Sequence, residues 1–308
     1  MLKKLNRQIG EARFNSATKR ARRELSLELD GDSSFTIVTM LRESDVNMYL
    51  LALASFCRFK TPKSVVVVSD GLSGESIEHL SSCVPGIQIR PVHEFTRAAL
   101  PSGGCWERLI SITSLNTDHY VVQLDADTLT LDPPEEVIDA IESNVSFTLS
   151  SRPGCSVMSF PEASQYVEGW DSQHVQVVAE SAFYSCKDAI DRSYVRGCAA
   201  FTGFAMNTAS LEKLESFSLE IENTIGRDKW REWGSEQVAS NYLVADSAGC
   251  VLLPFEKYPF YSPNSSFSIS EPVFYHFIGS HRFKKGKYKK LAASFLDSNR
   301  FARITKSV

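Results

Sequence analysis

An α/β fold, with a mainly parallel sheet flanked by helices, is predicted for this chain of 308 residues. Three observations carry the prediction. Strand-like apolar runs alternate with helix-like segments through the first 125 residues, as βαβ crossovers require. The fourth such run breaks off at two carboxylates, and parallel sheets bind ligands outside the carboxyl ends of their strands. The composition, 43 % hydrophobic and 23 % charged, is that of a globular chain with ample material for a core.

Residues 1–34 read as a polar helical preface, closed by the turn-like Asp30-Gly31-Asp32-Ser33-Ser34. Residues 35–41, FTIVTML, then read as a buried strand. Residues 45–59 read as a helix, with Leu50, Leu51, Leu53, Ala54 and Phe56 grouped near one face. A second strand follows at 64–69, closed by Asp70-Gly71, then a short helix at 75–82. A third strand is expected at 86–92 and a helix at 105–117. The second half is less regular. Residues 150–200 mix proline, glycine, serine and aromatics, and no linker there divides the chain. Beyond them a strand is expected near 201–206, a helix over 208–217 and another over 236–244.

The run His119-Tyr120-Val121-Val122-Gln123-Leu124 ends in Asp125-Ala126-Asp127. Residues two apart in an extended segment point the same way, so both carboxylates can sit together at a strand end. Two acids that close repel each other unless a cation lies between them. Hard divalent cations such as Mn2+ and Mg2+ take oxygen ligands and commonly share a phosphate with the protein. The competing reading is a strand end with two solvated turn acids.

Charge and cysteine usage narrow the function classes. Residues 1–30 carry eight basic and four acidic side chains, and residues 282–308 carry nine and one. With a net charge of −4 overall, the segment between them carries −16. An acidic body does not suit a general nucleic-acid binder. The basic C-terminus suits phosphates or peripheral contact with an anionic membrane, and a solvated tail is the alternative. Seven scattered cysteines, none in a Cys-x-x-Cys pair, suit free thiols in a reducing cytoplasm. No apolar run is long enough to span a bilayer, and the N-terminus lacks a secretory h-region.

A second signal lies near the C-terminus, in Phe274-Tyr275-His276-Phe277-Ile278-Gly279-Ser280-His281-Arg282. Together with Asp125-Ala126-Asp127 it resembles the glycosyltransferase 8 group, the glycogenin and galactosyltransferase type of GT-A-fold enzymes. That group carries Asp-x-Asp after a strand and His-x-x-Gly-x-x-Lys-Pro-Trp near its C-terminus. The resemblance covers about residues 35–285. It implies a Rossmann-like GT-A domain there, preceded by a helical extension (1–34) and followed by a basic tail (286–308). It implies that Asp125, Asp127 and His276 ligate Mn2+ or Mg2+ on a UDP-sugar diphosphate, and that the cation at Arg282 touches that diphosphate. Arg282 replaces the family lysine, and Phe283-Lys284 stand where Pro-Trp is usual. Arginine still binds phosphate, often through two hydrogen bonds. Gly279 lets backbone approach a phosphate closely.

Three weaker matches lie between. Cys105-Trp106-Glu107-Arg108 resembles the helix whose basic residue positions donor and aspartate. Ser235-Glu236-Gln237-Val238-Ala239-Ser240-Asn241 resembles Asp-Gln-Asp-x-x-Asn, with Val238 departing from the acidic third position. By resemblance, Glu236 and Gln237 lie beside the anomeric carbon and the acceptor. Phe201-Thr202-Gly203-Phe204 matches Phe-Asn-Ala-Gly only loosely. The site residues expected are therefore Glu236, Gln237 and Arg282 in catalysis. Arg108, Asp125, Gly279 and Arg282 are expected on the donor, and Asp125, Asp127 and His276 on the metal. Tyr166 and Trp170 are more readily core residues, with stacking on an acceptor sugar as the alternative.

The function implied is transfer of a hexose from a nucleotide-sugar, a UDP-sugar in this group, to a carbohydrate, lipid-linked or protein acceptor with retention at the anomeric carbon. The metal supports departure of UDP, which leaves with growing negative charge. Two alternatives stay open. One is a glycosyltransferase-like domain that binds without turnover. The other is a haloacid-dehalogenase-type phosphatase, whose Asp-x-Asp-Gly-Thr normally follows the first strand, whereas Asp125-Ala126-Asp127-Thr128-Leu129 comes after about three βα units.

Overall fold

The computed structural model describes residues 2–19, 25–264 and 271–298. The chain begins with α1 (Leu2–Ala17). Three βα units follow: β1 (Phe35–Leu41) with α2 (Val46–Cys57), β2 (Ser64–Ser69) with α3 (Gly74–Cys83), and β3 (Gln88–Pro91) with α4 (Trp106–Leu115). The strand β4 (Tyr120–Leu124) leads into the short β5 (Thr128–Thr130), α5 (Glu135–Glu142) and β6 (Phe147–Ser150). Next come β7 (Val157–Ser159), α6 (Phe160–Tyr166), α7 (Val175–Ala182), β8 (Ser193–Val195) and β9 (Gly197–Phe204). The chain continues through α8 (Leu211–Ile225), α9 (Arg227–Trp230), α10 (Ser235–Ala245) and β10 (Val251–Leu253). It closes with β11 (Phe274–His276) and α11 (Lys287–Asp297).

Seven strands form one sheet in the order β10-β6-β9-β4-β1-β2-β3. The pairs β4–β1, β1–β2, β2–β3 and β10–β6 are parallel. Strand β9 is antiparallel to both β4 and β6. Its insertion decides one residue. A Cβ added to Gly203 would lie 2.3 Å from the Phe147 ring and 2.3 Å from the Tyr120 hydroxyl, so only glycine lets β9 approach both neighbours.

The strongly β-branched β2, SVVVVS, is buried through its four valines, as a central parallel strand must be. Helix α2 departs from the one-faced pattern expected of it. Every residue but Asn47 is buried, because the helix shares the core cluster of β1 and β2 and also packs against the β5 segment. Ser55 Oγ accepts from the Thr130 amide at 3.0 Å, and Arg58 donates to the carbonyls of Thr130 and Leu131 at 3.1 Å each.

Residues 150–200, irregular in sequence, hold two short helices and the β7–β8 ribbon. Helix α6 starts with a capping box. Ser159 caps the Glu162 amide and Glu162 returns to the Ser159 amide, with proline in the first turn. The two chain ends meet. Phe14 of α1 is fully buried, its ring 4.4 Å from Tyr288 of α11 and 5.5 Å from Phe283. Residues 287–297 of the expected basic tail are thus a packed helix, and 299–308 lie outside the described residues.

Candidate active site

The Asp-x-Asp segment is a turn that follows β4. The Asp125 amide donates to Ala200 O at 2.8 Å, extending the pairing with β9 by one bond. The Thr128 hydroxyl then bonds back to Asp125 O at 2.8 Å and bends the chain. The carboxylates therefore converge through a turn at Ala126 rather than through the two-residue repeat of a strand. Strand β11 supplies the third member. It pairs antiparallel with β5, placing His276 opposite Thr128, and the Phe277 amide donates to Asp127 O at 2.8 Å. Ligand atoms of Asp125, Asp127 and His276 all lie within 4.8 Å of one another.

Two arginines bracket this group. Arg108, from α4, is buried and bridges Asp125 and Glu236, with Nη2 3.0 Å from Glu236 Oε1. Arg282 places Nη2 2.5 Å from Asp127 Oδ2, while its Nε donates to Phe277 O at 3.3 Å. Its Nη1 lies 3.9 Å from Asp45 Oδ1. Five expected site residues therefore share one charge network, and Glu236 joins it through Arg108. Gln237 stands apart from it and donates to Gln176 Oε1 at 3.3 Å.

The environment separates the two aspartates. Burial pushes the Asp127 carboxyl up, but His276 and Arg282 more than offset it and hold it well below the usual carboxylate range. Burial dominates at Asp125, whose pKa is raised against the pull of Arg108, with Asp127 adding like-charge repulsion. Burial likewise raises Glu236 despite its bond to Arg108.

The donor set suits a divalent cation. Carboxylates and one imidazole match Mn2+, whereas Mg2+ favours oxygen alone. His276 Nε2 faces Asp127 Oδ1 at 3.4 Å, and Nδ1 lies 3.4 Å from Cys198 Sγ. A proton kept on Nδ1 toward that sulfur leaves the Nε2 lone pair aimed at the aspartates, the orienting role common around metal-bound imidazoles.

These residues line a cleft of about 610 Å3, within the usual range for a ligand pocket. Gly279 lines it, in a left-handed bend at φ 29° with open space where a Cβ would project. Several lining residues carry no motif and escape sequence reasoning: Arg42, Asp45, Asp70, Cys198, Arg196 and Trp233. Trp233 alone left a signal, an aromatic directly before Gly234-Ser235-Glu236. His174, without ligand spacing in the sequence, lines the cleft and caps α7. Asn241 is buried away from the cleft, donating to Tyr194 and Gly197 O at 3.5 and 3.3 Å, so it fastens α10 to the sheet. Val238 lies in the apolar core, which accounts for an apolar residue at the motif's third position.

No family model and no curated relative matches the chain. Solved structures do. An active-site mutant of LgtC superposes with TM-score 0.51 at 12 % identity, over 84 % of this chain and 96 % of that one. The bifunctional glycosyltransferase WbbM gives 0.49 at 13 % identity, over 85 % of this chain and 52 % of its own. The galactosyltransferase LgtC with donor and acceptor sugar analogues gives 0.46 at 11 % identity, over 84 % and 96 %. This chain therefore spans about half the length of WbbM. The superposition on LgtC gives the chain the GT-A fold, with its mostly parallel seven-stranded sheet, and the resemblance read from the two motifs is to the same kind of protein.

Proposed function

We propose that this protein is a metal-dependent glycosyltransferase that moves a hexose from a UDP-sugar to a carbohydrate, lipid-linked or protein acceptor. One observation carries the reading. Asp125, Asp127 and His276 converge at the end of the central strand, bracketed by Arg108 and Arg282, inside a cleft of ligand size. Residues 35–285 would form the transferase domain, with 1–34 and 286–308 as its flanking extensions.

In this reading Asp125, Asp127 and His276 hold Mn2+ or Mg2+. When bound, the cation neutralises charge on the diphosphate. Arg282 is already oriented by Asp127 and adds a permanent positive charge on the same side, where the leaving group gathers charge. Arg108 holds Asp125 and Glu236 in register across two elements. Gly279 lets backbone come close to phosphate. Glu236 and Gln237 face the reacting sugar. Retention follows from the resemblance to the glycosyltransferase 8 group. Attack from the same face, assisted by the departing phosphate, needs no covalent nucleophile on the protein, and double displacement is the alternative route.

The test is calorimetry of UDP with and without Mn2+. Wild type should bind UDP at least about 10-fold more tightly with the metal. Asp127→Asn, which keeps the side-chain shape, should lose that gain, on the scale for a disturbed metal site. Equal UDP affinity with and without metal in wild type would refute the reading. Metal-dependent binding without donor hydrolysis or transfer would identify a binding domain that has lost turnover.

A further inference from the structure

Beyond the aspartates, the cleft has a second wall with a different character. Trp233 lines it with 77 % of its surface exposed, a large amount for the largest side chain. It stands four residues before Gln237, and its indole meets His174 edge to face, the centroids 6.2 Å apart. His174 precedes by two residues the Gln176 that binds Gln237. A flat, exposed indole beside the reacting side of a cleft is a platform for the apolar C–H face of a pyranose ring.

Two guanidinium groups lie on this side, Arg196 in the cleft lining and Arg152 outside it, both over the Tyr166 ring. Arg196 lines the cleft and stacks 4.8 Å above the half-exposed Trp170. Arg152, exposed, stacks 4.4 Å above Tyr166, and the Tyr166 and Trp170 rings are 5.5 Å apart. Buried Glu180 accepts from Arg196, from Tyr194 at 2.9 Å and from Gln176 at 2.9 Å. Its single charge balances Arg196. No ion pair engages Arg152 among the described residues. Arg196 feels that charge. Its pKa is held down by burial and then by Arg152, so an anion placed between the two guanidinium groups would offset that repulsion. The hydrogen-bond chain Gln237–Gln176–Glu180–Arg196 joins this cationic wall to the reacting side.

We propose that the acceptor is an anionic carbohydrate, its sugar ring packed on Trp233 and its carboxylate or phosphate group held by Arg196 and Arg152. The proposal rests on the glycosyltransferase reading for the word acceptor, but the binding site itself does not. Arginine suits both anions, because its planar fork donates paired hydrogen bonds to either.

The test is a saturation-transfer NMR titration of the full chain, with and without Mn2+ and UDP. The probes are methyl glucoside, glucuronate and glucose 6-phosphate and their galacto counterparts, with inorganic phosphate, which has no carbon-bound protons, added as a competitor. At least one charged sugar should bind about 10-fold or more tightly than its neutral form, the scale for one charge-assisted contact. Tighter uronate marks a carboxylate acceptor, and tighter 6-phosphate a phosphorylated one. Arg152→Gln should erase the preference, and its exposed position keeps the fold intact. Arg196 is the poorer probe, since its loss strands buried Glu180. Trp233→Ala should weaken neutral and charged sugars alike. The inference falls if no charged sugar binds, if neutral sugars bind as well, or if the preference survives Arg152→Gln. It also falls if inorganic phosphate matches the sugar phosphate and Trp233→Ala changes nothing. A retained charge preference without metal-dependent UDP binding would remove the transferase reading and leave an anionic-sugar site. The opposite pattern would remove only the present inference.

Discussion

At the scale of single residues, the site is defined by how each charge is compensated. Asp127 makes contacts with His276 and Arg282, whereas Asp125 has Arg108 and a like-charged neighbour. Arg282 stands where the resembling group has lysine, and the structure shows what the exchange achieves. A lysine has one point charge, while Arg282 reaches Asp127, Phe277 O and the vicinity of Asp45 with separate nitrogens. A guanidinium pinned this way needs little reorganisation when charge develops beside it. Arg282→Ala should therefore lower donor turnover by about 10²-fold, on the scale for one electrostatic donor, and Arg282→Lys should recover part of it. Steady-state kinetics of donor hydrolysis check this. Unchanged turnover in Arg282→Ala would exclude the role.

At the scale of elements, each helix or strand that reaches the cleft brings one chemical function. The turn after β4 presents the carboxylates, β11 the imidazole, α4 the bridging arginine, and α10 the pair Glu236-Gln237 at its first turn. Glu236 touches Arg108 and Gln237 touches Gln176, so α10 spans from the metal side to the Trp233 side. If α10 faces the reacting sugar as proposed, its contacts strengthen in the transition state while UDP binding rests on other residues. Glu236→Gln keeps an oxygen for Arg108. It and Gln237→Ala should each lower turnover by about 10²-fold while shifting Mn2+-dependent UDP affinity by less than about 3-fold. Pairing calorimetry with turnover decides it. A proportional loss of both quantities, or of neither, would make α10 a structural helix.

At the scale of the whole molecule, the first and last described helices, α1 and α11, pack on each other beside the C-terminal motif. Phe283, the neighbour of Arg282, packs near Phe14 and Tyr288, and a Cβ on Gly10 would come within 2.7 Å of Phe283 Cβ. Helix α1 is thus seated against the segment that carries Arg282. Phe14→Ala should cost about 3 kcal/mol, the low end for deleting a fully buried phenyl ring. Urea unfolding of both proteins measures it, and a loss below about 1 kcal/mol would mean that α1 packs without anchoring. None of the helices among the described residues is long and apolar enough to cross a membrane.

Much of this was present in the sequence, because its signals are local. β-branched runs marked β1 and β2, and alternation with helices announced the parallel half of the sheet. Asp125-Ala126-Asp127 and His276-Phe277-Ile278-Gly279 were legible as motifs, since backbone turns and short spacings are encoded by adjacent residues. What the sequence could not show was convergence. The antiparallel entry of β9 depends on the close fit of Gly203 against Phe147 and Tyr120, residues 56 and 83 positions away. The pairing of β5 with β11 brings His276 to Asp127, 149 positions earlier in the chain. The grouping of Trp233, Arg196 and Arg152 follows no sequence spacing, being assembled from a turn, the link between β8 and β9, and a bend after β6. Local propensity and motif chemistry therefore determined the class of fold and the residues of the candidate metal group. Only tertiary packing decided which distant charges share a partner and which surfaces face the cleft, because burial and electrostatics act through space rather than along the chain.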